Sequence, residues 1–258
     1  MNRDWQTRYE LAVEAARKAG DLARAYYETT FDIENKVDDT PVTVADRQAE
    51  QLIRALVTQA FPSDGFLGEE FGDQPGASGF RWVIDPIDGT RSFIRHIPIW
   101  GTLIGLEYHG EPVAGVAYAP VLGQVYRALR GDGAFVNDRR IHVANTDKLG
   151  DALMCYSSLN WFTKVGREAA FLELVRRTHR QRGFGDFYGF CLVAEGACDF
   201  MIDHGVHEWD VSALKAIVEE AGGRFTDWGG TPTTKTPDVL ASNGKLHADV
   251  LAILRDTP

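Results

Sequence analysis

The run Trp82-Val83-Ile84-Asp85-Pro86-Ile87-Asp88-Gly89-Thr90 ends an apolar stretch with two carboxylates three residues apart, then a glycine and a hydroxyl residue. Carboxylates so spaced, beside a residue that lets backbone approach closely and one offering both O–H and N–H, suit a place where hard cations meet phosphate. Trp82, Val83 and Ile84 favour a buried strand, and Pro86, with no N–H to give a ladder, ends it, so Asp85 and Asp88 leave the strand together. Three other acidic places can join them. Glu69, in Leu67-Gly68-Glu69-Glu70, follows a short apolar run and is expected at the end of a neighbouring strand. Asp210, in His207-Glu208-Trp209-Asp210-Val211, stands just before a helix with apolar Val211, Leu214, Ile217, Val218 and Ala221, closed by Gly222-Gly223. Asp46 completes Thr43-Val44-Ala45-Asp46, a capping box with Asp in place of the usual Glu. Each alone is more often a solvated or capping acid than a functional one; function enters through the combination.

The elements that must position these residues read as interleaved helices and strands. Apolar spacing predicts helices over 5–28 and 44–60, with a half-buried strand over 31–37 and a turn at 38–41 between them. From 100 to 143 the pattern is strand-rich and consecutive, which favours antiparallel pairing. Beyond it come a strand at 152–157, helices at 167–180 and 186–198, a strand at 199–203, a helix at 210–221, strands at 224–227 and 238–241, and a final helix. The boundary falls near 145–150. It separates an N-terminal α+β subdomain, 1–147, carrying the acidic loop, from an α/β subdomain, 148–258, completing the site, and no flexible linker divides them.

Composition narrows the classes. A chain of 258 residues, 44% hydrophobic and 25% charged, is long enough for one large core or two closely joined subdomains and is neither fibrous nor disordered. No apolar run approaches the roughly 20 residues a membrane span needs, so a cytoplasmic protein is expected. Cys155, Cys191 and Cys198 form no C-x-x-C pair, which argues against a disulfide framework and a structural zinc site. A formal charge of −10 disfavours nucleic acid. It also conflicts with phosphate handling unless divalent cations intervene. No G-x-G-x-x-G or G-x-x-x-x-G-K-[ST] occurs.

Four motifs resemble, in order and across nearly the whole chain, those of the inositol monophosphatase family: Glu69 in Leu-Gly-Glu-Glu, the run 82–90, Gly131-x-Gly-Ala-Phe-x-Asn, and His207-x-Trp-Asp-Val before a helix closing in Glu220-Ala-Gly-Gly. The resemblance implies a magnesium-dependent, lithium-sensitive phosphomonoesterase. It also implies alternating helix-sheet-helix-sheet-helix layers of the sugar-phosphatase type, and a homodimer. Carried over, Glu69, Asp85, the Ile87 carbonyl, Asp88 and Asp210 are the expected metal ligands for two or three Mg²⁺ ions. Thr90 and Asp46 form the expected water-activating pair, with Glu69 assisting as ligand or base, while the N–H groups of Gly89 and Thr90 hold phosphate. Two ions roughly 3.5–4 Å apart can clamp attacking and leaving oxygens and acidify a water. All-oxygen ligands suit Mg²⁺ and not zinc. Without cations such carboxylates repel one another and their pKa values rise.

Substrate choice is read from the second half. Gly185-Asp186-Phe187 followed by an aromatic residue resembles the histidinol-phosphatase branch, where other members carry small residues, and so does Gly101-Thr-Leu-Ile-Gly-Leu. L-Histidinol phosphate, a small phosphate ester of histidine biosynthesis, is the implied substrate. Asp186 is the expected partner of its ammonium group, Asp203 of its imidazole or a further hydrogen bond, and Arg182 of substrate or of Asp186. Asp88 and Asp210 would also border the substrate. Asp186 as a helix cap is the plainer alternative. The histidines lack H-E-x-x-H spacing and receive no catalytic role, and the basic run Arg91 to His96 reads as rim, dimer contact or solvated face. An inositol or broad sugar-phosphate phosphatase would use the same metals. A catalytically idle member would lack one of the acids, and none is missing.

Overall fold

The computed structural model describes residues 2–29, 33–35 and 41–256. Helix α1 (Arg3–Tyr27) buries an alanine-rich face, Ala12, Ala15, Ala16, Ala19 and Ala23, which lets it lie close to its neighbours. The expected strand at 31–37 is seen as β1 (Ile33–Asn35), paired antiparallel with β2 (Pro41–Thr43). The rest of that segment and most of the turn lie outside the described residues. Helix α2 (Val44–Ala60) opens with the expected capping box: the Thr43 hydroxyl accepts the Ala45 N–H, and the Thr43 N–H donates to Asp46 Oδ2 at 2.8 Å.

Next comes an eight-stranded sheet built from β3 (Gly65–Gly68), β4 (Gly72–Gln74), β5 (Phe80–Asp88), β6 (Gly101–Tyr108), β7 (Glu111–Ala119), β8 (Gln124–Leu129), β9 (Gly133–Val136) and β10 (Arg139–Ile141). Their order is β10-β9-β8-β7-β6-β5-β3-β4, antiparallel throughout except for the β3–β5 pair. The short α3 (Thr90–Phe93) leaves the end of β5. A second sheet holds β11 (Leu153–Tyr156), β12 (Arg180–Arg182), β13 (Phe200–His204), β14 (Arg224–Thr226) and β15 (Asp238–Ser242) in the order β12-β11-β13-β15-β14. Its helices are α4 (Leu159–Lys164), α5 (Glu168–Arg177), α6 (Asp186–Ala194), α7 (Glu208–Glu220) and α8 (His247–Asp256).

Burial sorts these into layers. Ile104, Leu106 and Val116 face α1 and α2, while Leu103, Ala117 and Ala119 on the same strands face α6 and α7. The latter two helices share their core with β11, β13 and β15, and Phe162, Phe171, Leu174 and Val250 cover that sheet's far side. The layers therefore run helix, sheet, helix, sheet, helix, and the shared core crosses the region where the subdomain boundary was expected.

Two glycines set the depth of α7, the helix that carries Asp210. Gly105 and Gly115 are register partners on β6 and β7, and a Cβ on Gly115 would lie 2.1 Å from the Ala213 carbonyl oxygen. Gly115→Ala must push α7 off the sheet. It is expected to destabilise the protein by about 1–3 kcal/mol, as overpacking does; an unchanged urea midpoint would contradict this seating.

The structure also corrects local expectations. Helix α6 ends at Ala194, not 198, so Cys191 and Cys198 share no helix; Gly196, at φ 78°, turns the chain toward β13. Helix α5 stops at Arg177 and gives way to edge strand β12.

Candidate active site

The long strand β5 delivers its acids through an irregularity. Register with β6 shifts between Asp85 and Asp88, and the Asp85 carboxylate turns back to accept the Ile87 N–H at 3.0 Å. Gly89, at φ 82°, then reverses the chain in a conformation that side-chain-bearing residues avoid. The Thr90 hydroxyl donates to the Ile87 carbonyl at 3.1 Å.

Asp210 reaches the same place from α7, where its Oδ2 accepts the His207 N–H at 2.7 Å. The capping role open from the sequence is thus real, and it aims the side chain as well. Oxygens of Asp85, Asp88 and Asp210 lie within 4.8 Å of one another. Arg81 secures the apposition of α7 and β5, bonding Glu107 at 2.7 Å and Glu208, two residues before Asp210, at 2.5 Å.

These acids line one wall of a cavity of about 700 Å³. Glu69, Ile87, Gly89 and Thr90 share it, as do Gly185, Asp186 and Asp203 from the second half. Burial holds the Asp85 carboxyl well above the carboxylate range, reinforced by Glu69, Asp88 and Asp210. Asp88 is raised likewise by burial, then by Asp186 and Asp210, against the pull of its bond from the Phe187 N–H at 2.5 Å. Asp203, buried and bonded by the Ser157 hydroxyl and the His204 N–H, is pushed up to about 7 by burial.

Asp186 is no helix cap. It stands at φ 52° after Gly185, and its Oδ2 would lie 3.1 Å from a Cβ on Gly89. Burial, and then Asp210, raise it to about 6, while Arg91 pulls it down. Arg91 thus stands where Arg182 was expected. Arg182 lies exposed on β12, its Nη1 on the Gln181 carbonyl, outside the cavity lining. Asp46 also lies off the lining. It is 1% exposed, raised to about 7 chiefly by burial, and its Oδ2 takes both the N–H and the hydroxyl of Thr43; the Thr90 hydroxyl is engaged by the Ile87 carbonyl, and no hydrogen bond joins it to Asp46 among the described residues.

An aromatic side of the cavity was not foreseen from residue types and spacing. Trp161, Phe184, His204 and Trp209 line it, and His207 stacks on Trp209 with ring centroids 4.7 Å apart. The Gly131-x-Gly motif lies elsewhere and is structural: the Gly133 N–H donates to Glu220 at 2.9 Å, tying the sheet to the end of α7.

Fold and cavity together define a layered α/β protein built around a cluster of oxygen donors able to hold divalent cations. The chain belongs to the inositol monophosphatase family, whose model matches residues 4–258. It is 42% identical to a histidinol-phosphatase of Streptomyces coelicolor over 86% of each chain. It is also 40% identical to a histidinol-phosphatase of Mycobacterium tuberculosis, over 95% of this chain and 96% of the other. The structure of an inositol monophosphatase from Anabaena superposes with a TM-score of 0.88 at 30% identity, covering 99% of this chain and 98% of that one. Among the described residues no helix is long and apolar enough to cross a membrane.

Proposed function

We propose that the protein is a Mg²⁺-dependent phosphoric monoester hydrolase that converts L-histidinol phosphate to L-histidinol and phosphate. The observation that carries this is a single cavity in which the Asp85, Asp88 and Asp210 cluster meets a second acid pair, Asp186 and Asp203, supplied by α6 and β13. Two relatives named histidinol-phosphatases, at 42% and 40% identity, support the same substrate. The family likeness supports a homodimer working in the cytoplasm.

The donor set fits the metal. Every candidate ligand is a hard oxygen, and the buried, mutually repelling Asp85 and Asp88 are in the condition that divalent cations relieve. Glu69, Asp85, the Ile87 carbonyl, Asp88 and Asp210 would hold two or three ions. When bound, Mg²⁺ supplies charge neutralisation at the phosphoryl group and lowers the pKa of the attacking water.

The chain's own groups do the rest. The N–H groups of Gly89 and Thr90 would hold phosphate oxygens, with Asp88 and Asp210 bordering them. The Thr90 hydroxyl would take the proton of the attacking water and pass it toward Asp46, which requires Thr90 to turn from the Ile87 carbonyl. Glu69 would assist as ligand or base. Asp186 and Asp203 would receive the ammonium and imidazole groups of the substrate, and the aromatic side of the cavity would cover its apolar parts. A charge-assisted hydrogen bond contributes about 1.5–3 kcal/mol. Asp186→Ala is therefore expected to raise KM for histidinol phosphate about 10- to 100-fold while leaving a neutral-alcohol phosphate little changed. Equal losses on both substrates would overturn the assignment.

A further inference from the structure

Glu50 is a fully buried carboxylate that none of this chemistry uses. It lies one turn beyond Asp46 on α2. Its Oε2 accepts the Glu70 N–H at 2.8 Å and its Oε1 accepts Arg54 Nε at 2.8 Å. Arg54 continues the chain of contacts, donating to the Gly72 carbonyl at 2.8 Å and lying over the Phe66 ring at 4.9 Å. Gly68 makes the approach possible, since a Cβ there would fall 1.9 Å from Glu50 Oε1.

On its other side the turn is tied to β5. The Glu69 N–H donates at 3.1 Å to the carbonyl of Ile84, the residue before Asp85. The backbone of Glu69 is thus gripped between the strand that carries Asp85 and the carboxylate of Glu50. A buried ion pair of this kind is weak evidence for a role in stability, because well-packed apolar replacements are often neutral or stabilising. What it does provide is direction, since the groups supporting a metal ligand fix how that ligand points.

We propose that Glu50 is a positioning residue: by holding the turn from Gly68 to Glu70 it aims the Glu69 carboxylate into the acidic cavity and so sets the Mg²⁺ affinity of the site. The inference rests on Glu69 being a metal ligand. It assigns Glu50 no contact with substrate or metal, so substrate KM at saturating Mg²⁺ stays near the wild-type value.

The test titrates Mg²⁺ into the metal-free full chain by calorimetry and, separately, finds the Mg²⁺ concentration for half-maximal turnover. Glu50→Met keeps the volume and removes both hydrogen bonds; Glu50→Ala removes them if the larger side chain prevents folding. Loss of a supporting partner typically weakens metal affinity about 10- to 100-fold, and that loss is expected here, with kcat recovering at high Mg²⁺. Val57→Ala, a buried change on the same helix away from the turn, is expected to leave Mg²⁺ affinity at the wild-type value. A folded Glu50 variant with wild-type affinity, or a Val57→Ala protein weakened as much, overturns the proposal. Glu69→Gln separates the two levels. Wild-type affinity there would remove Glu69 from the ligands and the proposal with it, whereas weakened binding beside an unaffected Glu50→Met overturns the positioning role alone.

Discussion

Asp85→Asn is expected to lower turnover on the order of 10³-fold or more, since a metal centre contributes several kcal/mol of transition-state stabilisation and each 1.4 kcal/mol is a factor of ten. The replacement is nearly isosteric, and the asparagine oxygen can still accept the Ile87 N–H that Asp85 now holds at 3.0 Å. The fold should survive. With one of the mutually repelling buried carboxylates neutralised, the metal-free variant is expected to be more stable than the wild type, while its stabilisation by Mg²⁺ disappears. Activity and stability then move in opposite directions, as they do where a site holds its charges at a cost to the fold. Calorimetric Tm with and without Mg²⁺, alongside kcat, checks both signs. A near-normal rate with an intact Mg²⁺ response would remove Asp85 from the metal site.

The second large effect is a pH dependence. Asp46 and Asp203 are raised to about 7, and Asp85 and Asp88 are raised well above the carboxylate range, all chiefly by burial. Groups whose folded pKa exceeds the unfolded value, about 3.9 for Asp, give stability that is fully present below that value and is lost as pH rises through the folded pKa. His247 acts in the opposite sense: burial lowers it to about 4, so its penalty falls below pH 6.5 and is absent above it. Between pH 6.5 and 8.5 the buried carboxylates act in one sense, joined toward pH 8.5 by the buried thiols of Cys191 and Cys198, which burial also raises, and the metal-free protein is expected to lose stability across that window. Mg²⁺ should restore it, and by more at pH 8.5, because fewer protons compete for the ligands. At a hundredfold excess over Kd, the gain is about 2.7 kcal/mol. At roughly 2–4 °C per kcal/mol, that is a rise of about 5–10 °C in Tm. A metal-free Tm independent of pH, or a larger Mg²⁺ shift at pH 6.5 than at 8.5, would contradict the electrostatic account of the cavity.

What the sequence made legible is what local rules control. A strand ended by Pro86 fixes where Asp85 and Asp88 emerge, and a capping box is complete within Thr43 to Asp46. The layer order followed from the family motifs. Short elements were missed because three residues, as in β4 and β12, show no periodicity. Arg182 was misplaced for a related reason: nearness to Asp186 in the chain is undone by the turn through Gly183 and Gly185. Arg91, remote in sequence, takes that place through packing. Glu50 and Trp161 could not be singled out, because an acid on a helix face or an exposed tryptophan gains its meaning only from what the tertiary fold sets beside it.

Phosphate release from the purified protein with Mg²⁺, compared between L-histidinol phosphate and inositol 1-phosphate at matched concentrations, separates the two substrates. A clear preference in kcat/KM for histidinol phosphate is expected, and its loss in Asp186→Ala. A preference for inositol 1-phosphate, with Asp186→Ala affecting both substrates alike, would contradict it.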